Sequence, residues 1–376
     1  MTTYLGDKPV GISSIVKQEV AKVKFGATVD TFIGDVDENG VLQAPKILNE
    51  LRFDGVKDIS ENALVRNFGA GIQFHSIVFK DLTSVSGNYA ADRAFYDNDN
   101  IVFADFGSLI TISGRAAFEY IFYSCSNFSE IVLDKLEEIT GAYALYYALY
   151  YTKITSLNLG SLKTISADSA CEYLCNGCSE LKTVDMKNLT TVSGNRVFYH
   201  AFYNCTKIAS VDFGSLTEIN GNTVFFNCFY QCSSIVDINI KKLKRIIGTQ
   251  TATQFFYKCT SITSADLGEL ETINGTQAAS GMFYGCSKLS SVILSNLKTV
   301  TGSSALANAF YGAAITRIEF PSLTTVGSDS FGTNMFNGCK QLIEIHFRAD
   351  MQATIEAMSG YSSKWGATNA TIYFDL

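Results

Sequence analysis

The chain has 376 residues, of which 47% are hydrophobic and 17% are charged, and its formal net charge is −7. An acidic chain without a column of Lys or Arg lacks the basic stripe that binds nucleic-acid phosphates, so a nucleic-acid partner is excluded. No apolar run approaches the roughly 18 residues of a membrane-spanning helix, so membrane insertion is excluded as well.

Residues 1–50 do not share the pattern of the rest and are predicted to form an N-terminal capping or attachment module. Within them, the segment 37–40, Asp-Glu-Asn-Gly, predicts a hairpin, because Asn-Gly favours a tight turn. The pattern Asp35-x-Asp37-x-Asn39-Gly40 also matches the first half of a calcium loop, but Lys46 stands where that loop needs a bidentate glutamate, and the hairpin explains the same residues. The first residues hold no basic stretch followed by an apolar segment, so no secretory signal is expected in this chain.

A phrase of about 27 residues recurs over residues 51–347. Its most regular feature is a leucine every 26 or 27 residues, at Leu82, Leu109, Leu136, Leu162, Leu189, Leu216, Leu243, Leu270, Leu297 and Leu323. Phe stands thirteen residues after the leucine in eight of the ten units, and Tyr occupies the next position at Tyr96, Tyr123, Tyr150, Tyr203, Tyr230, Tyr257, Tyr284 and Tyr311. A fixed period of this length predicts a solenoid, in which each coil buries its apolar face against its neighbours.

Each unit also contains one predicted strand. Ile208-x-x-Val211-x-Phe213 alternates apolar and small or polar positions, which is typical of a strand with one buried face. Strands separated by a whole coil must be parallel, since a hairpin return needs only a few residues. Glycine near five residues after the leucine predicts a corner, and the segment from there to the Phe-Tyr pair is predicted to be loop and a short helical turn.

Residues 348–376 leave the repeat and are predicted to form a C-terminal cap. Residues 351–358 predict a short helix and residues 371–374 a strand. With Trp365, the only tryptophan, they are expected to cover the exposed core of the last coil.

The repeating pattern, Ala-Phe-x-x-Cys-x-x-Leu/Ile-x-x-Val-x-Leu/Phe-x-x-Leu-x-x-Ile-x-Gly, resembles the BspA-type leucine-rich repeat of bacterial surface proteins. The resemblance implies an α/β repeat fold: a leucine-rich-repeat solenoid with short parallel strands, one per coil, and non-repeat caps. It also implies adhesion to a host or partner macromolecule. The opening residues 4–11 resemble those of some phage tail and prophage proteins. A location at a cell surface or on a virion is therefore expected.

The outward side of the predicted strands is the first candidate binding surface. Most of its central positions are acidic or Asn, at Asp105, Asn158, Asp185, Asp212, Asn239, Asp266 and Glu319, and the column ends at His346. Like charges stacked at strand spacing repel, so the column is not expected to stabilise the fold. This favours the interpretation that it forms a binding face for a protein or glycan. The alternative is solubility and protection against unwanted strand pairing.

The tyrosine column is the rival surface, with Tyr203, Tyr230, Tyr257 and Tyr284 as its candidates. Aromatic rings stack on sugars and anchor protein interfaces. The alternative is that these rings pack between coils beside the Phe column.

An enzymatic role has one motif to consider. Cys171-x-x-x-Cys175-x-x-Cys178 matches the spacing of the iron-sulfur loop of radical enzymes that use S-adenosylmethionine. The repeat register places all three in apolar columns, where a free cysteine behaves as a small hydrophobic residue. The three histidines occupy unrelated positions, and no nucleophile elbow, Walker loop or dinucleotide fingerprint is present.

These observations predict a non-enzymatic recognition scaffold without a cofactor or metal, which binds a protein or glycan in an adhesin-like or receptor-binding role. Two alternatives remain: a structural spacer in a larger surface or tail assembly, and an iron-sulfur enzyme. The cysteine column is predicted to be buried and reduced, although adjacent coils are close enough for disulfides.

Overall fold

The structure, a computed structural model, describes residues 23–25, 35–36, 42–43, 47–53, 55–60, 64, 73–327 and 329–376. The chain forms two compact units, residues 1–181 and 182–376. Each is a parallel β-solenoid, and together they contain about eleven coils at intervals of about 27 residues, so the predicted solenoid is confirmed. The opening residues 4–11 lie outside the described part, and the predicted module boundaries at 50 and 347 stay predictions.

Strands β1 to β13 belong to the first unit. They span Val23–Phe25, Asp35–Val36, Leu42–Gln43, Ile47–Phe53, Asp58–Ile59, Gln73–Val78, Ser84–Val85, Phe103–Asp105, Thr111–Ile112, Glu130–Val132, Glu138–Ile139, Ser156–Asn158 and Thr164–Ile165. β4, β6, β8 and β10 pair in parallel in that order, with β1 antiparallel to β4. β5, β7, β9, β11 and β13 form a second parallel sheet.

The hairpin predicted in the N-terminal module is confirmed by its strands. β2 and β3 pair antiparallel, with Val36 opposite Leu42 and Asp35 opposite Gln43. The turn residues between them lie outside the described part of the chain.

Strands β14 to β27 belong to the second unit. They span Thr183–Asp185, Thr191–Ser193, Ser210–Asp212, Glu218–Asn220, Asp237–Asn239, Arg245–Ile247, Ser264–Asp266, Thr272–Asn274, Ser291–Ile293, Thr299–Thr301, Arg317–Phe320, Thr325–Val326, Glu344–Phe347 and Thr371–Phe374. The even-numbered strands stand at the predicted strand positions and pair as β14-β16-β18, β20-β22 and β24-β26, and β26 also pairs with β27. β15, β17, β19, β21, β23 and β25 form the other sheet.

The prediction of one strand per coil needs correction, because each coil carries two. The second strand lies around the Val or Ile that follows the leucine, as in Glu218–Asn220, where Ile219 is buried between two outward polar residues. Two or three residues are too few to show a period of two against the background of the sequence. The structure therefore adds a second strand to each coil and leaves the parallel solenoid intact.

The remaining side of each coil is a run of turns, which we call the turn face; in the coil anchored at Leu189 it spans residues 194–205. Every fourth residue there adopts a left-handed conformation, as at Arg196, His200 and Asn204. Such a conformation costs a non-glycine residue about 1–2 kcal/mol. Here it is offset by bonds to the next coil: the backbone N–H of His200 donates to the Phe226 carbonyl at 3.0 Å. Turns therefore stand where loop and a short helical turn were predicted.

Apolar columns stack along the inside of the coils. In the second unit the ring of Phe229 lies between Phe202 and Phe256, at centroid distances of 5.0 and 5.5 Å, and all three side chains are fully buried. The corner glycine is needed for close approach, because a Cβ on Gly221 would collide with the Gly194 carbonyl oxygen. The glycine column therefore fixes how closely the coils stack.

The C-terminal cap has the predicted parts. A 3-10 turn at Ala349–Met351 leads into helix α1, Gln352–Glu356, and β27 pairs in parallel with β26. Trp365 is fully buried and meets Phe331 and Phe347 edge-on, at 5.1 and 6.2 Å. Within the described residues, no helix has the length and apolar character to cross a bilayer.

Candidate functional site

The acidic column of the predicted strands lies where each strand ends. At five positions a side-chain oxygen accepts the backbone N–H two residues further on, which closes an Asx turn. The pairs are Asp105 with Gly107 (2.7 Å), Asn158 with Gly160 (2.9 Å), Asp185 with Lys187 (3.0 Å), Asp212 with Gly214 (2.7 Å) and Asp266 with Gly268 (3.0 Å). The acidic column therefore stabilises the fold by closing turns, a role that the sequence alone did not predict.

Neighbouring side chains also form hydrogen bonds and ion pairs with the carboxylates of this column. Asn239 donates its side-chain amide to Asp212 Oδ1 at 2.8 Å, and Asn158 donates to Asp134 at 3.0 Å. Lys187 Nζ lies 2.9 Å from Asp185 Oδ2. Stacked carboxylates are thus separated by amides or neutralised by a cation, which reduces their repulsion. The side chains remain partly exposed to water, so the face stays available to a partner.

The acidic column changes character at its C-terminal end. Arg317 bonds to both Glu319 at 2.6 Å and Glu344 at 2.8 Å, and the bond from Arg317 lowers the pKa of Glu344. Beside this cluster, Ser291, Ile293 and Arg317 line an open groove of about 310 Å³ between β22 and β24. Arg317 and Glu319 are the charged side chains that line the groove, and they offset each other, so the groove offers no net charge to a ligand.

His346, expected on the outward face, is 4% exposed. It is covered because β27 adds one more strand, whose Tyr373 stacks on the imidazole at 4.7 Å, while Asp375 lies 2.7 Å from Nδ1. The cap therefore ends the outward column one coil earlier than the repeat predicts.

The tyrosine column of the second unit is a continuous ladder of stacked rings. Centroid distances from Tyr203 through Tyr230, Tyr257 and Tyr284 to Tyr311 are 4.5, 4.5, 4.7 and 4.4 Å, and the interplanar angles are 12° or less. Burial, and then the neighbouring Tyr230 and Tyr284, raise the pKa of Tyr257, so its phenol stays neutral. Packing between coils, one of the two predicted roles, is thus present, and the side chains are still partly exposed.

Stacking determines which part of each tyrosine a partner can reach. A ring inside the ladder, such as Tyr230 or Tyr257, has both faces covered by its neighbours, so a sugar has no face on which to stack. The side chains stay partly exposed, and hydroxyl groups of neighbouring rings bond to one another, as in Tyr203 and Tyr230. The ladder therefore presents a row of hydrogen-bonding groups about 4.5 Å apart.

Sequence reasoning missed a denser aromatic surface on the turn face of the first unit. We call it the tyrosine patch and define it as Tyr96, Tyr120, Tyr123, Tyr143, Tyr146, Tyr147, Tyr150, Tyr151 and Tyr173. Its rings contact one another at 4.4 to 6.3 Å. The signal was the run of five tyrosines between residues 143 and 151. Their outward direction could not be assigned while the segment was described only as loop.

The cysteine column is held by hydrogen bonds between coils. Six thiols lie within donor distance of a carbonyl oxygen about one coil earlier: Cys125 to Phe95 (3.0 Å), Cys178 to Leu149 (3.0 Å), Cys232 to Phe202 (3.0 Å), Cys259 to Phe229 (3.1 Å), Cys286 to Phe256 (3.1 Å) and Cys339 to Phe310 (2.9 Å). All ten cysteines are buried free thiols. Burial raises the pKa of Cys286 to about 12, so its thiol remains protonated and unreactive at neutral pH.

The iron-sulfur alternative is not supported by the geometry of its three cysteines. Cys171, Cys175 and Cys178 are each fully buried, and Cys178 contacts Thr152 and the Leu149 carbonyl. In the part of the chain that the structure describes, no three His, Cys, Asp or Glu side chains are placed to hold a metal ion. The three thiols belong to the stacked core instead.

The repeating coils match a known protein family. The family model described as BspA type leucine rich repeat region (6 copies) matches residues 68–174, 91–228, 172–308 and 249–363. No curated protein matches the chain in sequence.

Among solved structures, a leucine-rich-repeat protein from Bacteroides ovatus is 15% identical over 93% of this chain and 100% of its own, with a TM-score of 0.33. The leucine-rich-repeat protein of T. pallidum is 16% identical over 77% of this chain and 89% of its own, with a TM-score of 0.30.

Proposed function

The chain belongs to the BspA-type leucine-rich-repeat family, and from that premise we propose that it is a non-enzymatic recognition scaffold that binds a protein partner at a cell or virion surface. The observation that carries the proposal is the tyrosine ladder of the turn face. Stacking between coils requires the aromatic rings but not the hydroxyl group that each of them carries, and interfaces are enriched in tyrosine.

The ladder is suited to recognition because its geometry is fixed before a partner arrives. Each ring from Tyr203 to Tyr311 is held by stacking, and the backbone beneath is bonded to the next coil, as from Asn204 N–H to the Tyr230 carbonyl at 2.9 Å. Ordering a side chain on binding costs about 0.5–1.5 kcal/mol, and most of that cost has been met by folding. Each hydroxyl both donates and accepts, so the row keeps bonding capacity for a partner's backbone and side chains.

The strand face is the alternative binding surface. Asp185, Asp212 and Asp266 are engaged by their own backbone turns, which explains them without a partner. They still form a partly exposed acidic row that a basic partner could meet. The covered ring faces of the ladder argue against a glycan that binds by stacking, so a protein partner is favoured over a glycan.

A spacer in a surface or tail assembly is the competing function. It would also need stacked coils and a stable core, but its exposed side chains would bind nothing specifically. Saturable binding of the fluorescently labelled chain to cells of the organism that carries the gene, or of its hosts, separates the two. We expect flow cytometry to show binding that unlabelled chain displaces. Binding that never saturates, or that unlabelled chain does not displace, would favour the spacer.

A further inference from the structure

The side chains that oxidants attack most readily are divided between the inside and the outside of the coils. Within the described residues, every cysteine, methionine and tryptophan side chain is buried, including Met282 and Trp365. Burial also raises the pKa of Cys286, so its thiol stays protonated. The tyrosines of the ladder, by contrast, are partly exposed. An oxidant in the surrounding solution therefore meets tyrosine before a thiol, a thioether or the indole.

The last two tyrosines of the ladder are placed for oxidative coupling. Tyr284 and Tyr311 stack at a centroid distance of 4.4 Å and an interplanar angle of 6°, the shortest of the four contacts along the ladder. A hydrogen bond joins their hydroxyl groups. In parallel rings with bonded hydroxyls, the two ortho carbons, which are the ring positions beside each hydroxyl, lie at the same end of the stack.

The hydroxyl bonds also distinguish this pair from the other rings of the ladder. The hydroxyl of Tyr230 is shared between two neighbours, Tyr203 and Tyr257. Tyr284 is bonded to Tyr311, which ends the ladder because the next coil has Asn337 at this position. A phenol of this pair thus has one bonded partner, whereas Tyr230 has two.

The chemistry of phenols determines what such a pair can form. One-electron oxidation removes the hydroxyl hydrogen as a proton and an electron, and it leaves a radical that is shared between the oxygen and the ortho carbons. Two such radicals join through a carbon–carbon bond between ortho carbons, and the hydrogens at those carbons move to the oxygens and restore both rings. A haem peroxidase supplies the oxidant, since hydrogen peroxide takes up the two electrons and two protons and becomes two waters. The product is dityrosine, and it keeps both hydroxyls.

The solenoid holds the coupling partner close at hand. Tyr284 and Tyr311 are one repeat apart, and the turns that carry them are joined by a hydrogen bond from the Gly285 N–H to the Tyr311 carbonyl at 2.7 Å. A ring at contact distance has a far higher effective concentration than a ring on a second molecule in dilute solution. Coupling within one chain is therefore favoured over coupling between chains.

We propose that Tyr284 and Tyr311 form an oxidative cross-linking site, at which a haem peroxidase and hydrogen peroxide join two adjacent coils through dityrosine. The product is a covalent link between coils, which the buried free thiols do not supply. The link stabilises the fold chiefly by restricting the unfolded chain, because it closes a loop of one repeat. The reaction needs no binding partner of the scaffold, so it can be tested apart from the recognition function.

The test treats the full chain in dilute solution with a haem peroxidase and hydrogen peroxide, and it maps the product by mass spectrometry after digestion with trypsin. Trypsin releases Tyr284 within residues 259–288 and Tyr311 within residues 299–317, and neither peptide contains another tyrosine. We expect these two peptides to be linked, with a mass lower than their sum by two hydrogen atoms, in a chain that stays monomeric on a denaturing gel. Absence of this linked pair, or its presence only in cross-linked dimers, would overturn the proposal.

Tyr311→Phe keeps a ring in the stack and removes one phenol, so the linked pair should disappear. The matched control is Tyr203→Phe at the other end of the ladder, which also removes one phenol and should leave the pair in place. Oxidation of the unaltered chain in urea should give much less of the pair, because the coils are then separated. A yield as high in urea as in the folded chain would show that the ladder geometry does not direct the coupling.

The effect on stability is measured by urea unfolding of the monomeric product. Peroxidase treatment should raise the urea midpoint of the unaltered chain and of Tyr203→Phe, and it should leave the midpoint of Tyr311→Phe unchanged. An equal rise in Tyr311→Phe would assign the stabilisation to another oxidation product. An unchanged midpoint in the linked chain would contradict the stabilising role of the cross-link.

Discussion

Asp212 Oδ1 accepts two hydrogen bonds, from the backbone N–H of Gly214 at 2.7 Å and from the side-chain amide of Asn239 on the next coil at 2.8 Å. One carboxylate oxygen thus ends a strand and joins two coils. The acidic column of the strand face is therefore part of the fold before it is a candidate for binding.

Asp212→Ala should lower the free energy of unfolding by about 1 kcal/mol, since two partly exposed hydrogen bonds are lost. Relief of the charge opposite Asp185 offsets part of the loss. Asp212→Asn should cost less because it retains the acceptor oxygen. Urea melts of the three proteins measure the difference. A stability gain in Asp212→Ala would show that charge repulsion outweighs the turn.

Phe229→Ala should be far more damaging, because the ring is fully buried between Phe202 and Phe256. Truncation of such a ring in a core costs about 3–5 kcal/mol. Ile293→Ala is the surface control, since 43% of Ile293 is exposed, and it should change the urea midpoint little. Equal losses from Phe229→Ala and Ile293→Ala would contradict the assignment of the inner columns.

The corner glycine can be tested against another glycine of positive φ that has more space around its Cβ position. Gly221 has φ +142° and its Cβ would collide with the Gly194 carbonyl, whereas Gly312 has φ +71° and nothing within 4 Å of the Cβ position. We expect Gly312→Ala to cost about 1–2 kcal/mol, the penalty of a left-handed residue. Gly221→Ala should cost more, because the coils must also separate. Similar melting temperatures for the two variants would mean that the coils can shift at no cost.

The buried thiols predict low reactivity in the native state. Thiol reagents at pH 8 should label few of the ten cysteines in the folded chain and all ten in urea, because each native thiol is buried. A reductant should leave the melting temperature unchanged. Rapid labelling of most thiols under native conditions would contradict the stacked column.

Stability should also fall at high pH. The folded-state pKa of Cys286 is about 12 against an ordinary value of 9.0, and burial raises the pKa of Tyr150 to about 12 from 10.0. A raised pKa in the folded state means that ionisation favours unfolding, so the contribution is intact below pH 9 and is lost between about 9 and 12. Urea midpoints from pH 7 to 11 test this. A midpoint that stays level to pH 11 would show that these groups ionise without unfolding the chain.

The family and the solenoid could be predicted from the sequence because stacking imposes the same residue on every coil. Leu216 and Phe229 are buried for the same reason as their counterparts, so a column seen in the sequence is a column in the core. The second strand of each coil was missed because it has only two or three residues, such as Ile219 and its two neighbours. So few positions cannot show an alternation of apolar and polar residues. Their pairing is visible only once the coils are stacked.

The surfaces were harder to predict, because an outward position does not reveal what the side chain contacts. From the sequence, Asp212 is expected to repel the acidic residues stacked beside it. In the structure its side-chain oxygen accepts a hydrogen bond within a turn that begins at Asp212 itself. Tyr146 and Tyr147 occupy outward positions of the turn face, and their direction depends on left-handed residues such as Tyr143 and Tyr147 that no residue type announces. These features follow from the backbone conformation, which the residue type at each repeat position does not reveal.

The central claim, that the turn face of this scaffold binds a partner, is tested most directly by two variants that keep the fold and change only surface chemistry. Tyr230→Phe with Tyr257→Phe keeps the ladder and removes two hydroxyls. Asp185→Asn with Asp212→Asn and Asp266→Asn keeps the turns and removes three charges.

The measurement is the dissociation constant of each labelled variant in the saturable cell-binding assay, with melting temperatures as the folding control. We expect roughly fivefold to hundredfold weaker binding for the tyrosine variant, because two interfacial hydrogen bonds are lost and each costs about 0.5–1.5 kcal/mol. We expect unchanged affinity for the asparagine variant. Unchanged binding of the tyrosine variant, with loss in the asparagine variant, would contradict the account and move recognition to the strand face.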